Sequence, residues 1–425
     1  MSLKDRLFFQ ERPSIGLSFF RIAVALTAGF HVIPSFFCLG DNYTHTAFKT
    51  FNFNFFTPGF IQGVQHSPDA LVLFLVGAFC VSWFFFLIGL FSRLSCIAMT
   101  LCCYYFYALN SFPIGTLSWD ILLVTLFLMC IVPYHGDYFS VDALRSGDVL
   151  AYKKTRPFFL QTLLQMQVAF SYFYTGLYKV TASGNWLNNN PIYYLMNYPG
   201  EGVMKYFLLK EFLAHQPFLC YWIGILIVAI ELAMPFLLFY PKTRLSAIYA
   251  GLVFHVTLIL TMDVPAIFFF LFPAQLLLFI PPENVIRWID QKRRLNRKCG
   301  HSILVYDGHC RFCLMGVQQL KTMDLFDTLK LVDYQSTQDL KILHAGLTRE
   351  LAHSQLHLIE SDGTLYGGFS VFRRLCLNLP MLYPLIAVFY FPGAGILGPA
   401  VYRWVSRNRY LFHSNKVCED NACTH

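Results

Sequence analysis

"VYDGHCRFC", residues 305–313, reads as the end of an apolar strand, a turn at Asp307-Gly308 and the start of a helix near Cys310. A cysteine at that position meets the unsatisfied amides of a helix N-terminus, which favour a thiolate and lower its pKa. Cys313 follows three residues later on the same helical face, close enough to close a disulfide with Cys310 or to resolve a mixed disulfide. Cys310 is therefore the expected nucleophile and Cys313 its resolving partner. Arg311 adds a positive charge nearby, and His309 either shuttles a proton or faces solvent. Half a zinc site is the alternative reading, its other half drawn from Cys418, Cys423 or His425 in "KVCEDNACTH", although a cysteine pair between a strand and a helix is the redox context. The Cys418/Cys423 pair is either a second dithiol that exchanges with the first or part of an unstructured terminus.

Around this motif the chain alternates in short units: "SILVYD", a helix from Cys310, "LKLVDY", a polar helix, "QLHLIES", a DG turn and the helix "FSVFRRLCLNL". That pattern predicts an α/β domain over 301–425. Immediately before it, 283–300 ("ENVIRWIDQKRRLNRKCG") places six basic residues and Trp288 behind a long apolar region. The segment reads either as a juxtamembrane helix on anionic headgroups or as a solvated linker.

Residues 1–282 are of another kind. Of the whole chain 56% is hydrophobic and only 13% charged, against about a quarter charged in an average soluble domain. Apolar runs predict eight membrane spans, at about 15–39, 70–91, 94–110, 117–134, 158–181, 218–240, 244–262 and 264–281. With the N-terminus inside, the inner segments collect Lys4, Arg6, Arg12, Arg93, Arg145, Lys153, Lys154, Arg156, Lys242, Arg244 and the basic linker. The outer loops hold only Lys49, Lys205 and Lys210. This asymmetry orients the protein by the positive-inside rule and leaves the α/β domain in the cytoplasm. The formal charge of +8 is accounted for by these inter-span residues, so a nucleic-acid partner is not expected. No cleavable leader is expected in "MSLKDRLFFQERPSIG", which is charged before its first apolar run. Cysteines scattered singly through the apolar runs read as small buried hydrophobes.

Ionisable residues inside spans are functional candidates because burying them unpaired is costly. The fifth run, "QMQVAFSYFYTGLYKV", carries Gln167, Tyr172 and, at its outer end, Lys179; Glu231 lies in the sixth and His255 in the seventh. Lys179 either snorkels to the outer interface or sits in a desolvated pocket. In the pocket its ammonium is disfavoured and the neutral amine can accept a proton. Glu231 and His255 are equally readable as a structural pair.

Two family resemblances attach to these residues. "VYDGHCRFC", the later "GG" at 367–368 and "YRWVSRNR" at 402–409 resemble the DCC family of thiol-disulfide oxidoreductases. This implies a thioredoxin-like fold and a catalytic set of Cys310, Cys313 and Asp307 of the YDG-x-C-x-x-C core. No proline precedes "QLHLI", where thioredoxins place one opposite their cysteines. Further upstream, Q-x4-YF-x2-G-x2-K at 167–179 with Trp186, "YFSVDAL" at 138–144, "ELAMPFLLF" at 231–239 and "FH" at 254–255 resemble the HTTM domain of the vitamin K-dependent gamma-carboxylase type. That resemblance implies that Lys179 is a base in quinol oxidation and that Lys179, Tyr172, Gln167, Glu231 and His255 surround a quinone or quinol. Tyr178 stands where the carboxylase has a second lysine, and Trp119-Asp120 where it has a histidine. Glutamate carboxylation is therefore not expected.

The combined expectation is an α-helical polytopic membrane bundle (1–282), a basic linker helix (283–300) and an α/β thioredoxin-like domain (301–425). Its activity would be thiol-disulfide exchange with cellular thiols or disulfide proteins, with or without coupling to a quinone. Its location would be multi-pass in a membrane of the bacterial inner-membrane kind, with the N-terminus and redox domain cytoplasmic. The alternatives are a carboxylase-like quinol-oxidising enzyme, or a non-catalytic lipid- or peptide-binding or export module with a redox-sensing tail.

Overall fold

The computed structural model describes residues 8–50, 57–114, 117–181, 186–198, 209–262 and 264–409. Cys418, Cys423 and His425, to which the sequence assigned a second dithiol or zinc ligands, lie outside the described residues. The chain is mostly helical, with one four-stranded mixed sheet and one two-stranded antiparallel sheet among the described residues, and divides into two compact units. One comprises residues 1–142 and 154–282, the other 143–153 and 283–425.

A helix lies in each of the eight apolar runs of the first unit: α1 (Ile15–Val32), α2 (Asp69–Ile88), α3 (Ser92–Leu109), α4 (Leu117–Cys130), α5 (Phe159–Thr181), α6 (Pro217–Phe239), α7 (Arg244–Thr261) and α8 (Ile267–Leu277). Among the described residues four helices are long and apolar enough to cross a membrane, in Ile15–Asn42, Asp69–Ile88, Pro217–Phe239 and Arg244–Thr261; the number rises to six if each of two bent helix pairs is one span. Length limits two of the others. With 14 residues in α4 and 11 in α8, these helices rise about 21 and 17 Å, short of a hydrocarbon core of about 30 Å. In α5, 23 residues long, composition intervenes instead, because three glutamines lower its hydropathy. Those glutamines are used internally. Gln161 and Gln165 both donate to the Leu278 carbonyl, at 2.7 and 2.8 Å, and Gln167 donates to the Ile121 carbonyl at 2.8 Å while accepting from Thr125. Carbonyls at the end of α8 and inside α4 thus have side-chain donors where water is scarce.

The core of this unit is built from α1, α2, α3 and α4 together with the start of α5 and α8, with Phe20, Val24, Phe79, Phe106 and Leu123 among its fully buried members. Arg21 of α1, itself buried, ties that core to the loop after α4 by donating to the carbonyls of His135 (3.0 Å) and Phe139. Asp142 caps the start of α3, accepting from the amides of Phe91 and Ser92 at 2.9 and 2.8 Å. A short antiparallel pair, β1 (Glu11–Pro13) and β2 (Thr155–Pro157), joins the entries to α1 and α5.

In the second unit the basic segment forms α9 (Pro282–Cys299). Its Ile289 is buried, Arg297 pairs with Asp327 at 2.6 Å, and Asp290 accepts from Tyr152 and Lys153 of the 143–153 segment. The linker helix is therefore packed into this unit rather than standing free of it, while Trp288 stays half exposed. The order continues β3 (Ser302–Tyr306), α10 (Arg311–Met323), β4 (Leu329–Asp333), α11 (Arg349–Ser354), β5 (His357–Ile359), β6 (Leu365–Gly367) and α12 (Phe369–Asn378). A 3-10 turn at Pro380–Leu385, α13 (Ile386–Phe389) and α14 (Ala394–Asn408) complete it. The sheet order is β4-β3-β5-β6. β3 and β4 are parallel, Val305 opposite Val332, and β5 runs antiparallel to both β3 and β6. Leu304, Leu358, Val317, Val371 and Leu375 form the core between the sheet and helices α10 and α12.

Candidate functional site

β3 ends at Tyr306, and the next four residues turn the chain into α10. Gly308 makes this turn possible. Its amide donates to the Asp333 carboxylate at 2.8 Å, and a Cβ in its place would fall 2.2 Å from Asp333 Oδ2. Cys310 is the N-cap of α10. Its Sγ accepts from the Cys313 amide at 3.3 Å and lies 2.8 Å from the Cys313 thiol, which donates to it. Two donors and the helix N-terminus thus converge on one sulfur. Cys313 is pushed well above the ordinary thiol range, first by burial and then by its hydrogen bond to Cys310. Cys310 is only 1% exposed, while Cys313 is partly open and His309 and Arg311 face solvent.

Asp307 is buried directly below the pair. Its Oδ1 accepts from the His309 amide (3.1 Å) and Gln335 Nε2 (3.3 Å), and its Oδ2 pairs with Arg409 at 3.1 Å. Arg409 also donates to the His353 carbonyl at 2.8 Å, and Tyr402, one α14 stretch earlier, accepts from the Leu356 amide at 2.9 Å. The Gly367-Gly368 pair lies against Gln355, and the Gly368 amide donates to the Leu356 carbonyl. Three motifs far apart in sequence, YDGHC, GG and the Tyr-to-Arg element, therefore meet around the 353–356 segment.

A cavity of about 780 Å³ opens beside Cys313. Its walls come from α10, α12, α13 and α14 and are overwhelmingly apolar: Val317, Leu320, Phe369, Phe372, Phe389 and Leu397 are typical. Asp307, Gln355, Tyr402 and Arg409 supply polar groups at the cysteine end. Such a wall gives an extended peptide few partners for its amides, whose burial without hydrogen bonds is costly.

The first unit places its own candidates in pairs. Lys179 Nζ lies 2.6 Å from both oxygens of Glu231, and 5.1 Å above the Trp186 ring. Gly176, one turn earlier, lets α6 approach, since a Cβ there would meet Leu232 and Glu231 at 3.0 to 3.1 Å. Tyr172, two turns below Lys179 on α5, shares a hydrogen bond of 2.7 Å with His255 Nε2, and His255 stacks on Phe272 at 5.1 Å. Gln167 points elsewhere, into its contacts with Ile121 and Thr125. Lys179 and Glu231 thus form a largely buried pair at ion-pair distance. Among the described residues no group of three or more His, Cys, Asp or Glu side chains is arranged to hold a metal ion.

Sequence reasoning singled out the cysteines and Asp307 but not the residues that hold them: Asp333, Gln335 and Arg409. Only Arg409 had a signal, as the last residue of "YRWVSRNR". Asp333 and Gln335 follow β4, and nothing local marks them as neighbours of the turn after β3.

Two family models match the chain: an HTTM domain over residues 9–284 and a DCC1-like thiol-disulfide oxidoreductase over residues 304–414. An uncharacterized chloroplastic protein of Arabidopsis thaliana is 34% identical over 73 residues, which is 17% of this chain and 34% of that one. The match thus spans about a third of that relative's length. No solved structure matches.

Proposed function

This chain belongs to the HTTM-domain family and carries a DCC1-like thiol-disulfide oxidoreductase domain, and from that premise we propose that it is a membrane-anchored thiol-disulfide oxidoreductase working through Cys310 and Cys313. The observation that carries the reading is the Cys310 sulfur, which receives the Cys313 thiol at 2.8 Å and the Cys313 amide at 3.3 Å at the head of α10. Cys310 as a thiolate attacks one sulfur of a partner disulfide, forming a mixed disulfide and releasing the partner's other sulfur as a thiolate. The partner thiolate released in the first step takes the proton of Cys313, which then attacks Cys310. The mixed disulfide breaks, the second partner thiolate leaves, and Cys310–Cys313 becomes the disulfide. Two electrons pass to the partner. The reverse sequence oxidises a partner dithiol.

A thioredoxin-like fold for the second unit is supported by its βαβ start, its antiparallel β5–β6 pair and the order β4-β3-β5-β6. Eight spans with this unit in the cytoplasm are supported by a helix in each of the eight apolar runs, although α4 and α8 are short, and by the basic residues that the sequence concentrates in alternate inter-span segments. A second role, quinone or quinol binding in the first unit, is favoured by the Lys179–Glu231 pair with the Tyr172–His255 pair two turns further down α5. There Lys179 and Glu231 would act as a coupled proton donor and acceptor for a quinol hydroxyl.

The test is to trap thiols by alkylation in inverted membrane vesicles and to follow the Cys310/Cys313 peptide by mass. The pair is expected to cycle with a soluble disulfide and a soluble thiol, and Cys310→Ser or Cys313→Ser is expected to abolish cycling. A pair that stays reduced with every disulfide offered sinks the reading. Oxidation by added quinone that Lys179→Ala removes would establish coupling of the two units; cycling indifferent to both would separate them.

A further inference from the structure

The last elements of the second unit expose more apolar surface than a water-facing hairpin needs. Along α14, Ile396, Leu397, Val401 and Trp404 are 80%, 69%, 60% and 60% exposed, and Val388 and Phe391 beside α13 are 64% and 68% exposed. At i, i+4 and i+7, Leu397, Val401 and Trp404 lie along one stripe of the helix. Contiguous apolar patches of this kind mark an interaction surface. The charge around the patch is of one sign. Residues 380–409 contain Arg403, Arg407 and Arg409 and no acidic residue or lysine. Arg409 turns inward to Asp307, while Arg403, between Val401 and Trp404, and Arg407, one turn beyond Trp404, are exposed at the border of the stripe.

We infer that the α13–α14 hairpin docks on an anionic phospholipid surface, with Leu397, Val401 and Trp404 in the headgroup–acyl boundary and Arg403 and Arg407 on the phosphates. The pattern is that of an interfacial helix, apolar and aromatic on one face and arginine-rich at its border. The occupant is chosen by charge complementarity and by the chain's own apolar helices, which keep the protein at a bilayer. Basic residues alone would suit any acidic partner, but the apolar crest needs a surface that takes in a row of large side chains without pairing backbone groups. One consequence concerns the cavity beside Cys313. Val388, Phe391, Leu397 and Val401 belong both to the crest and to the cavity wall. With the crest seated in lipid, the cavity opens toward amphiphiles dissolved there. The inference stands on this exposed surface and does not depend on whether the dithiol cycles.

The full chain, reconstituted in vesicles of phosphatidylglycerol and phosphatidylethanolamine, would carry a photoreactive benzoylphenylalanine at Leu397 or Val401, with Glu350, exposed on α11, as the control position. Lipid adducts are expected at 397 and 401 and not at 350. They should fall by about tenfold or more in Arg403→Glu/Arg407→Glu, the order expected for two basic residues at an anionic surface. The unsubstituted background is expected to show the same dependence when phosphatidylcholine replaces both lipids, so a misfolded variant does not decide the matter. Adducts to a second copy, adducts to another part of the chain, or yields at 397 no higher than at 350 overturn the proposal.

Discussion

Replacing Arg409 by methionine removes the cation that faces Asp307 while keeping most of the side chain's volume. Asp307 is 3% exposed and Arg409 7%, and their atoms approach to 3.1 Å. Breaking a buried ion pair by deleting one partner costs about 3–5 kcal/mol, because a charge is left in a poor environment. Asp307 keeps its donors from His309 and Gln335, so the lower end, about 3 kcal/mol, applies. At about 1.4 kcal/mol per factor of ten, the open fraction of the second unit should rise about a hundredfold. Cys376 on α12 reports that opening, since it is 2% exposed inside the core. Maleimide labelling of Cys376, resolved by peptide mass in the full chain, measures the change directly. Asp307→Asn should also destabilise, leaving the guanidinium with the His353 carbonyl. The double variant should then lose less than the sum, with a coupling of about 1–3 kcal/mol. Single variants costing under about 1 kcal/mol, or costs that simply add, would refute the view that this pair fastens the end of α14 to the turn beneath the cysteines.

Gly308→Ala should cost about 1–3 kcal/mol in the same labelling assay, because the new methyl group enters the space of Asp333 and forces the turn open; an unchanged rate would mean that the turn yields freely. Cys313 has a thiol pKa raised in the fold by burial and by Cys310. Its contribution to stability is therefore full below the ordinary thiol value of about 8.5 and is lost as pH rises through the higher folded value. Urea unfolding of the reduced chain should show this alkaline loss, and Cys313→Ser should lack it. Asp327 behaves oppositely. Burial raises its pKa, but Lys321 and Arg297, followed by Arg293, outweigh burial and bring it to about 2. Its contribution is present above the unfolded carboxylate value of about 3.9 and disappears as pH falls toward 2. Acid titration of Asp327→Asn should lack that step, and retention of the step would assign it to another carboxylate.

The parts of this structure legible in the sequence are those set by neighbours along the chain. The strand, turn and helix around 305–313 follow from an apolar run, Asp-Gly and a cysteine at a helix start. The eight helical segments follow from long, predominantly apolar runs. Pairings across the fold leave no such trace. Lys179 and Glu231 are 52 residues apart and meet because Gly176 lets two helices close together; the sequence marks both residues as costly to bury but not as partners. The same limit explains α5, where Gln167, which reads as a candidate for a quinone, is taken up by the Ile121 carbonyl and the Thr125 hydroxyl. Cys310 shows the reverse case. Its position at a helix N-terminus is readable, yet its near-complete burial is a property of the whole fold that the local sequence does not carry. Chemistry at the dithiol is therefore set by two separable quantities: local helix geometry, which directs donors onto Cys310, and tertiary cover, which leaves Cys313 as the sulfur facing the cavity.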